Sequence, residues 1–172
     1  MNSKSTSVIF KSKLALLSFA ILIPLHSQAA GTSTTVMSVS ATVLTACTVA
    51  ATPLVFGNYD TTATNLDADA SITVLCTGNT SYALALGKGL DASATFATRK
   101  LLSATGTEVI DYSIYTDDTH TTVWGDGSAG TSTVSGTGVL GTKSHTVYGR
   151  MPAGQSANQG IYADIINVTL TY

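Results

Sequence analysis

Beyond residue 30, apolar and polar positions alternate in short runs, the period expected of half-buried strands. "SITVLCT" sets Ile72, Val74 and Cys76 on one face, and "SYALALG" does the same with Tyr82, Leu84 and Leu86. Only "GNT" separates these two runs, which predicts a hairpin. "VIDYSIYT" aligns Ile110, Tyr112 and Ile114; "SHTVYGRM" and "IYADIINVTLTY" continue the series, and "LVFGNY" after Pro53 is a shorter candidate. Clusters of Gly, Asn, Asp, Ser and Thr divide the runs, and none of this part of the chain reads as a long amphipathic helix. The number and spacing of the runs predict an all-β sandwich of immunoglobulin-like type.

Two runs at the ends do not fit a closed sandwich. In "TTVMSVSATVLTACTV" (Thr34 to Val49), Thr35, Met37, Val39, Ala41 and Val43 share one face, and Ser38, Ser40 and Thr42 alternate with them. That pattern alone favours one continuous first strand inside its own domain. At the other end, Ile166, Val168, Leu170 and Tyr172 alternate with Asn167, Thr169 and Thr171, up to the last residue. Upstream, Ile161, Ala163 and Ile165 have the opposite parity, which predicts a bulge near Ile165–Ile166. No further run remains to pair with this apolar strand, and an open apolar edge is an aggregation hazard.

The first residues change the picture of where the chain works. Lys4, Lys11 and Lys13 precede the apolar run "LALLSFAILIPL", which Pro24 cuts short of the roughly 20 residues of a membrane span. A small-residue exit follows at Ser27-Gln28-Ala29, so residues 1–29 read as a signal peptide cleaved after residue 29 or 30. His26 leaves with it, and roughly 140 residues remain, enough for one domain with a core. All ten acidic residues stay while three of the eight basic ones depart, so the exported chain is mildly acidic and nucleic acid is not an expected partner. Charged residues make up only 10% of the chain, against roughly 25% in ordinary soluble domains. A surface of Thr, Ser, Ala and Gly is cheap to desolvate, which suits packing against copies of the same chain. In an exported chain the two cysteines, Cys47 and Cys76, read as one disulfide, and their parity with apolar neighbours places it in or beside the core.

Candidate chemistry is thin. "GDGSAG" (Gly125 to Gly130) and "GTGVLG" (Gly136 to Gly141) match G-x-G-x-x-G without strand and helix on either side, and read as turn glycines. "TDDTH" (Thr116 to His120) could hold a metal but reads better as a polar turn, and His145 has no evident partner. There is no G-x-S-x-G elbow and no cysteine left for catalysis, so the expectation is a protein without enzymatic activity or cofactor. Trp124, Tyr115 and Tyr148 could form a sugar-binding platform, although core packing is the plainer use.

"CTVAATPLVFGNYD", "CTGN" with "YALALGKG", "DYSIYTDDTHTTVWGDG", "VYGRMPAGQ" and "GIYADIINVTLTY" together resemble the spore coat protein U domain family. More closely, they resemble the major pilins of Csu-type archaic chaperone–usher pili, from about Met37 to Tyr172. The resemblance implies an incomplete immunoglobulin-like sandwich that lacks its last strand and is completed by donor-strand complementation. It implies a periplasmic chaperone that lends a strand and an outer-membrane usher. It also implies minor or tip pilin subunits, and a linear homopolymer at the cell surface that supports attachment and biofilm formation. With the bare C-terminal strand, it divides the opening stretch near Ala41–Thr42. Residues 30–41 become the donor strand, with Thr35, Met37, Val39 and Ala41 directed into a neighbour, and 42–172 the domain. Ile166, Val168, Leu170 and Tyr172 become the acceptor groove and the strand offered to the chaperone. Tip adhesins of such systems carry an additional N-terminal receptor-binding domain, so a single domain with a donor-like start implies the shaft. The alternatives are a secreted coat or matrix protein outside any pilus, and a carbohydrate-binding module.

Overall fold

The computed structural model describes residues 30–172 except 63, 139 and 140; the signal-peptide segment 1–29 lies outside the described residues. Contacts along the backbone divide the chain into two units, 1–41 and 42–172. In the first, residues 30–41 have no regular secondary structure, and Val36, Met37 and Val39 are 96%, 84% and 85% exposed. Thr35 and Ala41 are exposed as well.

The second unit is built from strands alone among the described residues: β1 (Cys47–Ala51), β2 (Leu66–Cys76), β3 (Thr80–Leu86), β4 (Arg99–Ser103), β5 (Val109–Tyr115), β6 (Val134–Gly138), β7 (Gly141–Met151), β8 (Tyr162–Ala163) and β9 (Val168–Thr171). They form a six-stranded sheet in the order β1-β2-β7-β5-β4-β8 and a three-stranded sheet in the order β6-β3-β9, antiparallel throughout. The alternating faces meet between the sheets. Ile72, Val74 and Cys76 of β2, Leu84 and Leu86 of β3, and Ile110, Tyr112 and Ile114 of β5 are all buried. Each such side chain contributes roughly 1.5–3 kcal/mol by leaving water. Cys47 and Cys76 stand opposite each other in the β1–β2 register and form the disulfide, with Cys76 in the core.

Several expectations are corrected. No hairpin joins β2 to β3, because β1 and β7 already occupy both edges of β2; the chain crosses to the other sheet, where β3 pairs with β6 and β9. "LVFGNY" is not a strand. Thr52 N–H still bonds Ser71 O at 2.9 Å, but Pro53 has no N–H to extend the ladder, and Leu54, Phe56 and Tyr59 pack on the core as irregular chain. Gly149 of β7 makes room for them: a Cβ there would lie 2.7 Å from Leu54 Cδ2 and 2.9 Å from Phe56 Cζ. The C-terminal run is not one bulged strand. β8 belongs to the large sheet and β9 to the small one, and a single parity runs through both, with Tyr162, Asp164, Ile166, Val168 and Leu170 half-buried and Ile161 and Ile165 exposed. Gly136 and Gly138 are strand rather than turn residues, since both lie in β6, where Gly136 stands against Tyr82. His145 does have a partner: its Nε2 lies 2.7 Å from Tyr82 Oη, bridging the two sheets.

Candidate functional site

The core is incomplete along one flank. Protein interiors rarely contain voids larger than a water molecule. Here a cavity of about 230 Å³ lies between the sheets, against roughly 30 Å³ for a water in the liquid. Its floor is the inner face of the large sheet, with Ile72, Val147, Ile114 and Leu101. One wall is Ala51 at the end of β1 with the irregular segment 52–56 that follows; the other is the chain from Asp164 to Val168 entering β9. A second, wider hollow of about 640 Å³ shares Leu54, Phe56, Leu101 and Asp164 with the first and extends it past Tyr59 and Tyr162. Together they form one groove.

The backbone beside this groove is also unfinished. β9 pairs with β3 along one edge, and among the described residues no strand pairs with its other edge. β1 and β9 approach with Cα atoms within 8 Å, yet share no ladder. A four-residue strand with an open edge offers N–H and C=O groups to any extended chain that enters.

Of the expected acceptor residues, Ile166 and Val168 line the cavity, while Leu170 is half-buried on the core. Tyr172 is 56% exposed and borders a shallow hollow on the outer face of the small sheet with Thr171, Ser81 and Ser135. Thr35, Met37, Val39 and Ala41 belong to the first unit described above. Val43 and Leu44 are also exposed, and regular strand begins only at Cys47.

Two polar groups at the groove are missing from the expectations. Asp164 enters the apolar wall: its Oδ1 accepts from Leu90 N–H (2.8 Å) and from its neighbour Ile165 N–H (2.8 Å), and its Oδ2 accepts from Tyr112 O–H (2.7 Å). Burial and this carboxylate push the Tyr112 hydroxyl far above the usual tyrosine range. Gly89, with φ of +101°, lies so close that a Cβ would overlap the carboxylate. Behind it, Arg99 is completely buried, donating Nε–H to Gly87 O (2.9 Å), Nη1–H to Phe96 O (2.9 Å) and Nη2–H to Trp124 O (2.6 Å). Burial pulls its pKa down, opposed by Tyr112 and Asp164. Alternation could have flagged Asp164, an acid on the apolar parity of Ile166 and Val168; nothing in "TRKLLS" marks Arg99 as the buried cation.

The remaining candidates are placed as follows. Asp117 accepts from Thr119, Thr121 and Thr122, which closes "TDDTH" as a polar turn and lowers the Asp117 pKa, the Thr119 hydroxyl contributing most. Among the described residues no cluster of three or more His, Cys, Asp or Glu could hold a metal. Trp124 is fully buried, with its Nε1–H donated to Leu84 O at 3.1 Å, so it forms no surface platform. Tyr115 and Tyr148 are directly paired, with the His120 ring edge-on at 5.2 and 6.4 Å and Arg150 clamping Asp67 nearby through two bonds of 2.7 Å.

The profile of the Spore Coat Protein U domain matches residues 33–169, nearly all of the described chain. The chain belongs to the Spore Coat Protein U domain family. Within reach of that family, Protein U of Myxococcus xanthus is 29% identical over the whole length of both chains. A solved structure with the same fold is the CsuC–CsuE chaperone–tip adhesion subunit pre-assembly complex from the archaic chaperone–usher Csu pili of Acinetobacter baumannii. It has a TM-score of 0.56 and 22% identity, and the match covers 76% of this chain. The chain spans 41% of the length of that one. At this identity the likeness speaks for the fold: an immunoglobulin-like sandwich of two antiparallel sheets.

Proposed function

We propose that this protein is a structural, non-enzymatic shaft subunit of a chaperone–usher type surface fibre. Residues 31–41 of one copy insert as a strand into the groove of the next. The observation that carries the reading is the unfilled cavity beside the open edge of β9. A strand laid there covers Ile166 and Val168 with side chains and gives β9 its second ladder. Met37 and Val39 are the large apolar side chains available to fill it, each contributing roughly 1.5–3 kcal/mol on burial, with ladder bonds adding about 0.5–1.5 kcal/mol apiece. Because donor and acceptor are different segments of the chain, the contact is head-to-tail and propagates as a linear polymer.

Before assembly the same groove needs a temporary strand, which a periplasmic chaperone supplies on the way to an outer-membrane usher. The solved complex of similar fold, in which a subunit is held by its chaperone, supports this route. Export through the periplasm and display at the cell surface follow from it, as do contacts with minor or tip subunits and a role in attachment and biofilm formation. The shaft assignment rests on one chain carrying both a donor-like segment and an acceptor groove. A second reading, a coat protein outside any pilus, is suggested by the name of the family, the Spore Coat Protein U domain; such a protein would fold and stay monomeric without a chaperone.

The deciding experiment is co-expression with a periplasmic chaperone, then an unboiled gel. The native chain is expected to give a ladder of multimers that collapses on boiling. A chain deleted for 31–40 is expected to bind the chaperone but form no ladder. Normal fibres from the deleted chain would refute the donor assignment.

A further inference from the structure

On the side of the cavity that leads into β9, one polar side chain stands beside the aliphatic Ile166 and Val168, and it is fixed. Asp164 lies where the two hollows meet and lines both. Three donors hold its carboxylate in place: Leu90 N–H, Ile165 N–H and the Tyr112 hydroxyl. Gly89 makes room for it, since a Cβ there would overlap the carboxylate. The buried Arg99 guanidinium interacts favourably with its negative charge. Asp164 shares the half-buried parity of Ile166 and Val168 in the wall and lies two residues before Ile166, in the chain between β8 and β9.

Any strand that fills the groove must therefore cover a carboxylate as well as two aliphatic side chains. Among the described residues Asp164 Oδ2 accepts only the Tyr112 hydroxyl, so covering it with a branched or long apolar side chain removes water from a charged oxygen and returns no hydrogen bond. A hydroxyl can donate to it, and an alanine leaves room for a bridging water.

Extended as a strand, the N-terminal segment would carry Thr35, Met37, Val39, Ala41 and Val43 on one face. Laid against Asp164, Ile166, Val168 and Leu170 in either direction, residues 35–41 put Met37 and Val39 over Ile166 and Val168. The residue over Asp164 is then Thr35 in a parallel strand and Ala41 in an antiparallel one. Sliding the strand by one step to bring the next apolar residue over Asp164 places Met37, Val39 or Val43 on the carboxylate. We infer that Asp164 is a register-determining residue of the acceptor groove, admitting only a small or hydroxyl-bearing donor residue at its position. The inference rests on the proposed insertion of residues 31–41.

Cysteine pairing tests it in assembled protein. Ile166→Cys is combined in turn with Thr35→Cys, Met37→Cys, Val39→Cys and Ala41→Cys, and intermolecular disulfides are read on non-reducing gels. One position alone, Met37 or Val39 according to strand direction, is expected to cross-link efficiently, roughly tenfold above the other three. In an Asp164→Leu background the other of these two should gain a comparable yield as the strand slips. Equal yields from Met37→Cys and Val39→Cys with Asp164 intact, or an unchanged single partner in Asp164→Leu, would overturn the register role. Multimers lacking cross-links from all four positions would instead overturn the donor assignment itself. Asp164→Leu also forfeits three hydrogen bonds, so the donor side supplies a second arm. Of Thr35→Leu and Ala41→Leu, only the one lying over Asp164 should slow assembly about tenfold; equal effects would contradict the inference.

Discussion

Buried polar side chains do much of the positioning in this molecule. Arg99 ties the carbonyls of Gly87, Phe96 and Trp124 to one guanidinium, so both ends of the β3–β4 connection and the β5–β6 connection are held together. Charged residues are almost never fully buried unless paired, and an alternation pattern treats an arginine as solvated surface. The cysteines were legible for the opposite reason, since their parity with Ile72, Val74 and Val49 declared the core. His145 was misjudged because its partner, Tyr82, lies 63 residues away on the other sheet. Burial, and then Lys143, lower the His145 pKa. The unfolded chain therefore takes up this proton first, near pH 6.5. The stability contributed by neutral His145 is whole above that pH and is lost as pH falls through the unfolded value toward the folded one. Denaturant titrations of the native protein should show this loss as the pH falls below about 6.5; His145→Phe should remove that component of the slope, and an unchanged slope would dismiss it.

Among the elements, β2, β3, β5 and β7 were visible because Ile, Val, Leu and Tyr alternate with Thr, Ser and Ala on a half-buried surface. β4 ("RKLLS") and β6 ("VSGTG") do not alternate in that way and were missed. Which runs pair was less legible than which runs exist, as β2 and β3 show: adjacency along the chain suggested a hairpin, but both edges of β2 were already taken. The segment 53–59 reads as strand from its apolar residues, yet Pro53 stops the ladder and Gly57, at φ of +79°, turns the chain. Its position depends on Gly149. Gly149→Ala should push Leu54 and Phe56 outward, costing about 1–3 kcal/mol by overpacking. Because both side chains line the cavity, the same change should reduce multimer yield on an unboiled gel. A stability loss with full multimer yield would mean that this wall is not part of the contact.

At the scale of the whole molecule, a sandwich with a hole in its core and an open strand beside it is matched by a segment with exposed apolar residues. Both halves show in the sequence as anomalies, an apolar opening run and an apolar closing run; in the fold β9 pairs with β3 and leaves its other edge open. The cavity, the bordering segment 51–56 and the carboxylate within the wall required coordinates, because they arise from residues far apart in the chain. The account holds that the two anomalies correct each other between copies. Amide hydrogen exchange on the full chain, compared between assembled and dissociated protein, tests this most directly. Assembly is expected to protect residues 35–41 and the outward-facing amides of 166–171 together. Protection of β9 without residues 35–41, or of neither, would contradict it.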